Sequence, residues 1–285
     1  MVNTTEVGAT GKPLRILAIG AHPDDNELKV GGAAALWAQA GHTVHFVSLT
    51  NGATGHHEIG GIELARRRAD EAQAAAAMIG ITSQVLDTTS GQLDASLDRR
   101  REVIRLIRNF RPDLVLGPRP WDYHPDHRYA AVLIQDAAYV VTVPNNEPLT
   151  PHLQHNPHMM YVSDSFHKPC PFTPDIVIDI DSTAELKMEM AHQHTSQMYE
   201  WLPFNTDVLA EVPPASDAPG RRRWLAERRL PGFAAVADRY RDDLVRWYGP
   251  ERGPRVRYAE AFEACEYGAP LSEQTLRRLF PFVGA

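Results

Sequence analysis

Short apolar runs alternate with longer helix-like segments through the first half of the chain. The runs that predict strands are 14–20, 43–49, 84–87 and 113–117, and the segments that predict helices are 27–40, 62–79, 97–110 and 128–140. This alternation is typical of βαβ units, whose strands are parallel and whose crossovers are right-handed. The predicted fold class is therefore α/β, with a mostly parallel sheet flanked by helices.

The second half of the chain is less regular. Strands are predicted at 159–163 and 175–179, helices at 182–199 and 233–247, a proline-rich irregular segment at 201–223, and a strand or short helix at 257–266. Ser182 is the predicted N-cap of the first of these helices. No repeat or clear linker interrupts the chain, so we expect one domain at 13–285 with irregular C-terminal additions. A flexible tail is expected at 1–12.

Two clusters of polar residues follow two of the predicted strands. His22-Pro-Asp-Asp25 comes directly after the run 14–20, and His124-Pro-Asp-His127 comes shortly after the run 113–117. Open α/β sheets bind their ligands at the carboxyl ends of the strands. The two clusters can therefore converge on one site, and their imidazole and carboxylate groups are ligands that divalent metals prefer.

The predicted metal ligands are His22, Asp25 and His127. Catalytic zinc sites commonly use three ligands drawn from His, Asp and Glu and leave one position open. His22 and Asp25 are separated by two residues in a tight turn, so both can face one centre. His127 completes the set better than its neighbour because it would begin the following helix. One Zn²⁺ per chain is expected, although other divalent ions also suit these ligands.

Metal-assisted hydrolysis is the reaction that these residues predict, because a bound ion polarises a carbonyl and lowers the pKa of water. Asp24 would then act as the general base and return the proton to the leaving amine. A protonated His124 would stabilise the oxyanion. Either Asp122 or Asp126 could orient His124 and favour its charged form.

Composition excludes several other classes. A net charge of −7 on 285 residues gives no concentrated basic face, so no nucleic-acid partner is expected. The two cysteines, Cys170 and Cys265, form no disulfide framework. Neither a signal peptide nor an apolar stretch of membrane-spanning length is visible, so we expect a cytoplasmic protein without stable membrane insertion.

Several segments resemble the LmbE-like, or PIG-L, family of zinc-dependent deacetylases. The segment 21–27 with the two glycines at 31 and 32 resembles the opening motif of that family, and 122–127 resembles its second motif. Segments 68–71 and 194–197 are similar to two further elements of the family, and a weak likeness recurs at 258–262. The resemblance implies a Rossmann-like fold and removal of an N-acetyl group from an N-acetylglucosamine-type sugar or glycoside.

The resemblance also implies roles for individual residues. It assigns zinc binding, the general base and the oxyanion contact to the residues already named. It adds Arg68 as a contact to substrate hydroxyls and Glu27 as a partner beside a ligand. His194 is expected at the mouth of the site, and Asp94 is the nearest candidate for an assisting acid. Members of the family are often oligomeric, so a homo-oligomer is expected.

Other functions remain open at the level of sequence. An amidase that acts on a thiol or sugar conjugate would use the same residues. A non-catalytic sugar-binding α/β domain would keep the pocket without turnover, but it would not need all of His22, Asp25 and His127. A phosphoesterase usually needs two metals and more carboxylate ligands than the two clusters supply.

Overall fold

A seven-stranded sheet forms the centre of the structure, a computed structural model in which residues 12–284 are described. Apart from Lys12, the predicted tail at 1–12 lies outside these residues. The strands are β1 (Arg15–Gly20), β2 (Thr43–Thr50), β3 (Thr82–Thr88), β4 (Leu114–Gly117), β5 (His158–Val162), β6 (Ile176–Asp179) and β7 (Ala259–Ala264). Their spatial order is β3-β2-β1-β4-β5-β7-β6. The first five are parallel, and β7 is antiparallel to both β5 and β6.

Helices cover both faces of the sheet, as predicted. They are α1 (Asp25–Gln39), α2 (Gly61–Ala77), α3 (Leu97–Phe110), α4 (Pro125–Ala137), α5 (Ala184–Gln193), α6 (Leu202–Asn205), α7 (Ala218–Arg239), α8 (Arg241–Arg252) and α9 (Glu273–Leu279). Side chains alternate across β1, so that Ile16 packs in one core and Leu17 in the other. Because both faces are buried, the central strands are apolar throughout.

The C-terminal half differs from the sequence prediction at α7. The segment predicted to be irregular, 201–223, contains the first turns of this helix, which runs on to Arg239. Two signals mark its start: the Asp217 side chain accepts from Gly220 N, and a proline lies in the first turn. Pro231 lies inside the helix, and an interior proline normally indicates a helix end. That proline made the predicted start at 233 too late.

The predicted cap and end of the helix at 182–199 are also wrong. α5 begins after Thr183, not Ser182, and ends at Gln193. A π-helical turn then spans Gln197–Trp201. The open alternative at 257–266 is settled as a strand, because β7 pairs with both β5 and β6. No helix within residues 12–284 is long and apolar enough to span a membrane.

Candidate metal centre

The two polar clusters meet at the carboxyl ends of β1 and β4. These strands are neighbours in the sheet, where β1 lies between β2 on one side and β4 on the other. Strand order therefore reverses at this point, which is where open α/β sheets leave a crevice for ligands. The first cluster forms the turn that opens α1, and the second forms the start of α4.

Three donor atoms of the predicted metal ligands converge in this crevice. His22 Nδ1 lies 3.2 Å from His127 Nε2 and 3.7 Å from Asp25 Oδ2, and His127 Nε2 lies 3.5 Å from the same Asp25 oxygen. Tetrahedral ligands with bonds of about 2.0–2.2 Å lie about 3.3–3.5 Å apart. Two imidazole nitrogens and one carboxylate oxygen at these separations fit a zinc-type ion and leave a fourth position open.

Carboxylates orient both imidazole rings from behind. Asp126 Oδ2 lies 2.9 Å from His22 Nε2, and Asp122 Oδ1 lies 3.1 Å from His127 Nδ1. Such contacts fix the ring orientation and raise the basicity of the nitrogen that faces a metal. Both aspartates also contact His124, since Asp122 Oδ1 accepts from His124 N at 2.8 Å and Asp126 Oδ2 lies 4.0 Å from His124 Nδ1.

The backbone at the end of β1 determines where Asp25 lies. Its Oδ2 atom accepts hydrogen bonds from Ala21 N at 2.9 Å and His22 N at 2.8 Å. A Cβ at Gly20 would lie only 2.8 Å from Asp25 Cβ, so a larger residue there would push the carboxylate away. The strand must therefore end in glycine for the aspartate to fold back over it.

Opposite charges draw the three donors together. Burial opposes protonation of His127, but the carboxylates of Asp25 and Asp122 raise its pKa to about 10. Burial also opposes ionisation of Asp25, but His127 and His22 hold the pKa of that carboxyl well below its usual range. A metal that binds the imidazole nitrogen must displace a proton from it, so metal affinity at such a site depends on pH.

His124 caps α4 beside the three donors. Its Nδ1 accepts a hydrogen bond from Asp126 N at 3.1 Å, which places the hydrogen of the neutral ring on Nε2. Burial and the neighbouring histidines lower the pKa of His124, so the neutral form is favoured over the expected imidazolium. Its ring nitrogens can also join those of His22 and His127 in a set within 4.8 Å, which makes a three-histidine site the alternative ligand set.

Asp24 lies between the ligand residues in a strained conformation. Its φ of 142° is rare for any residue other than glycine, and such strain is typical of functional sites. The residue is buried, and burial raises the pKa of its carboxyl while the Arg68 charge opposes that rise. Among the described residues, Arg68 donates to Oδ1 and no group donates to Oδ2. Oδ2 is therefore not committed to a hydrogen bond with any described residue.

Arg68 is almost fully buried against Asp24. Its Nη2 atom donates to Asp24 Oδ1 at 3.0 Å and to Pro23 O at 2.7 Å. Gly52, with φ +70°, passes so close that a side chain there would overlap the guanidinium. The structure therefore shows an arginine that holds the Asp24 carboxylate, and a role toward substrate hydroxyls stays a prediction.

Glu27 and His194 form a second buried layer below Asp24. His194 Nε2 lies 3.3 Å from Glu27 Oε1, and both side chains are almost fully buried. His194 is therefore not at the mouth of the site. The nearby Glu71 accepts from Ser196 Oγ at 2.6 Å and Ser196 N at 2.9 Å, which attaches α2 to the segment after α5. The two residues of this contact lie in segments 68–71 and 194–197, which resemble elements of the family. The sequence pattern did not show that they contact each other.

A cavity of about 250 Å³ opens beside the donors, with Tyr123 and Phe166 on its wall. Tyr123 is 75% exposed, and its ring meets the His127 ring edge-on. Arg119 and Asp164 also line this cavity, and the Nε and Nη2 atoms of Arg119 each donate to the Asp164 carboxylate at 2.7 Å. Asp94, expected to assist, is instead exposed and accepts from Ser96 Oγ.

The chain resembles known proteins in both sequence and fold. The family model described as PIG-L: GlcNAc-PI de-N-acetylase matches residues 17–138. Diacetylchitobiose deacetylase of Thermococcus kodakarensis is 32% identical over 201 residues, which cover 67% of this chain and 74% of that protein. This chain belongs to the PIG-L family. The resemblance found in the sequence is thereby confirmed, and with it the expectation of an enzyme family.

Two further relatives show the breadth of the family and the fold. A 4-oxalmesaconate hydratase of Pseudomonas putida is 27% identical over 195 residues, 65% of this chain and 74% of that protein. The structure of N,N'-diacetylchitobiose deacetylase from Pyrococcus horikoshii superposes with a TM-score of 0.66 at 24% identity, covering 89% of this chain and 84% of that one. The predicted α/β class, with a mostly parallel sheet, is confirmed.

Proposed function

We propose that this PIG-L family member is a zinc-dependent deacetylase that hydrolyses the N-acetyl group of an N-acetylglucosamine-type sugar or glycoside. The observation that carries the proposal is the convergence of His22 Nδ1, Asp25 Oδ2 and His127 Nε2 within 3.7 Å, next to the buried Asp24. The similarity to a diacetylchitobiose deacetylase supports an amino-sugar substrate.

His22, Asp25 and His127 would hold the zinc ion, and Asp122 and Asp126 would orient the two imidazoles. We prefer this set to the three-histidine set because its donor atoms lie 3.2–3.7 Å apart, close to tetrahedral spacing, and because His124 Nδ1 is engaged by Asp126 N. When bound, the ion supplies Lewis-acid chemistry, which polarises the amide carbonyl and lowers the pKa of water.

The remaining residues of the site would move protons and stabilise charge. Asp24 Oδ2 would accept a proton from the attacking water and transfer it to the amine nitrogen as the carbon–nitrogen bond breaks. Arg68 would keep Oδ1 occupied, so that only one oxygen carries the proton. His124 Nε2–H would donate to the carbonyl oxygen as negative charge develops there, a role that a neutral ring can fill.

The test is acetate release from a panel of N-acetylated amino sugars and glycosides by zinc-loaded protein. Asp24→Asn should abolish release while one zinc remains bound, and Asp70→Asn is the matched control because Asp70 is exposed on α2. Release that survives in Asp24→Asn would refute the assigned base. No release from any substrate, with zinc bound, would refute the deacetylase proposal.

A hydratase is the second candidate, and the similarity to 4-oxalmesaconate hydratase favours it. We rank it lower because the identity is 27%, against 32% for the deacetylase at the same 74% coverage of each relative. An unsaturated tricarboxylic acid added to the panel separates the two, since its hydration consumes a double bond and releases no acetate. An amidase on a thiol conjugate would appear as amine release from that conjugate alone.

Two expectations remain open. A homo-oligomer stays a prediction, which light scattering of the purified protein would check. We also propose that residues 13–285 act as one domain, because Glu260 of β7 accepts hydrogen bonds from Gly32 N and Ala33 N in α1, both at 2.8 Å.

A further inference from the structure

A second cavity, of about 270 Å³, lies one helical turn along α1 from Asp24 and Asp25. Leu28 and Lys29 of α1 form one side, and Arg229 and Phe233 of α7 form another. It adjoins the cavity at the metal centre, because Lys29 and Ser163 line both. Lys29 Nζ donates to Ser163 O at 2.9 Å, so this contact marks the boundary between the two spaces.

Two cationic residues of this cavity, Lys29 and Arg229, pair with no carboxylate within residues 12–284, and of the two only Arg229 donates to no oxygen. Lys187 Nζ pairs with Glu260 Oε1 at 2.6 Å and also lies 3.9 Å from the centre of the Phe233 ring. Arg228 pairs with Glu211. By contrast, the only hydrogen bond of Arg229 within residues 12–284 goes to a thioether, Met198 Sδ, at 3.5 Å.

The Arg229 guanidinium is also partly buried and close to the proposed base. Burial lowers the pKa of Arg229, and the negative charge of Asp24 opposes that effect, which places the two groups within electrostatic range. A partly buried cation without an oxygen partner costs free energy unless an anion joins it. Arginine in particular suits carboxylate and phosphate groups, because its planar fork can donate two parallel hydrogen bonds.

We propose that this cavity binds an acidic group of the substrate, a carboxylate or a phosphate, and that Arg229 is the residue that recognises it. The inference rests on the proposed function, since the acetamido group would lie at the metal centre while the acidic group lies across the boundary formed by Lys29 and Ser163. The substrate class is then an anionic acetamido sugar or glycoside. Gly232 leaves room there, because a Cβ on it would meet no atom within 4 Å.

The experiment compares the binding of three probes by titration calorimetry. N-acetylglucosamine is neutral, N-acetylmuramic acid carries a carboxylate, and N-acetylglucosamine 6-phosphate carries a phosphate. Each is titrated into the zinc-loaded and the metal-free protein, because phosphate and carboxylate also bind zinc directly. We expect wild type to bind at least one charged probe about tenfold or more tightly than the neutral sugar in both forms.

Arg229→Gln should remove this preference and leave the affinity for N-acetylglucosamine unchanged. Arg223→Gln is the matched control, since Arg223 lies exposed on the same helix. Gly232→Leu is the second variant: it fills the cavity from a position with open space and keeps the arginine, and it should also remove the preference. A melting curve for each variant shows that the protein is folded.

Three results would overturn the inference. These are a wild type that binds no charged probe more tightly than N-acetylglucosamine, an equal loss in Arg229→Gln and Arg223→Gln, and a preference that survives in either Arg229→Gln or Gly232→Leu. Acetate release is measured separately with the zinc-loaded protein. Its absence refutes the proposed function, whereas the charge preference in metal-free protein tests the cavity alone.

Discussion

Replacing Arg68 with methionine would separate two possible roles of this arginine, positioning Asp24 or binding substrate. The Nη2–Oδ1 distance is 3.0 Å, and the two side chains are 3% and 11% exposed. Methionine keeps much of the volume but leaves the Asp24 carboxylate without its countercharge. Removing one partner of a buried ion pair costs about 3–5 kcal/mol, so we expect a loss of unfolding free energy of that size.

A double-mutant cycle isolates the contact from the other effects of each substitution. Asp24→Asn removes the charge, keeps an Oδ1 acceptor and tolerates the positive φ, since asparagine adopts such conformations as readily as aspartate. The double variant has no orphaned charge, so its loss should be smaller than the two single losses combined, by about 2–3 kcal/mol. Urea unfolding of the four metal-free proteins at one pH measures this. A coupling below about 0.5 kcal/mol, as for independent sites, would refute the pairing.

The kinetics of zinc-loaded Arg68→Met distinguish the two roles directly. If Arg68 positions the base, kcat should fall about a hundredfold while KM changes little, because small misplacements of a catalytic group are costly. If it binds substrate hydroxyls in the ground state as well as in the transition state, KM should rise while kcat is kept. A KM effect alone would therefore contradict the structure-based assignment.

Three further substitutions test other parts of the molecule. Asp126→Ala should weaken zinc binding about 10–100-fold, measured against a competing chelator, because His22 loses the carboxylate that orients it; unchanged affinity would contradict this. Arg108→Met should cost about 3–5 kcal/mol in urea unfolding, since Arg108 donates to six backbone carbonyls of segment 140–150, and a loss below about 1 kcal/mol would count against that role. Tyr123→Ala should raise KM for acetamido sugars about three- to tenfold with kcat little changed, because its exposed ring offers a stacking surface at the cavity; a fall in kcat alone would argue otherwise.

The first half of the fold was predictable because its strands are buried on both faces. Continuous apolar runs separated by amphipathic helices leave few alternatives to a parallel sheet. In the second half, prolines serve two purposes that a pattern does not separate. The proline after Asp217 begins α7, whereas Pro231 is accommodated inside it. Whether a proline begins a helix or lies within one depends on contacts with the rest of the fold, and a rule based on local sequence does not include those contacts.

The candidate site was also predictable only in part. The convergence of the two clusters follows from strand order, since β1 and β4 are adjacent and both clusters follow their carboxyl ends. Which aspartate contacts which histidine depends on the directions of the side chains in the turns that begin α1 and α4. Successive side chains on a helix point about 100° apart, so an error of one residue changes the contact. The sequence therefore placed Asp122 and Asp126 near the site but did not show which rings they contact. The depth of His194 depends on a helix end that the sequence also misplaced.

The C-terminal half of the chain helps to determine the geometry of the motif near its N-terminus. The family model ends at residue 138, yet α1, which begins directly after the strained Asp24, is held by Glu260 of β7. That carboxylate is fully buried and is paired in turn with Lys187 of α5. Since a shift of α1 would move Asp24 and Asp25 together, two distant segments fix where the proposed base and a metal ligand lie. The proposed role of Arg229 would make substrate binding depend on the C-terminal half as well. Its helix, α7, lies beside the Lys187–Glu260 ion pair and would select the charge of the substrate.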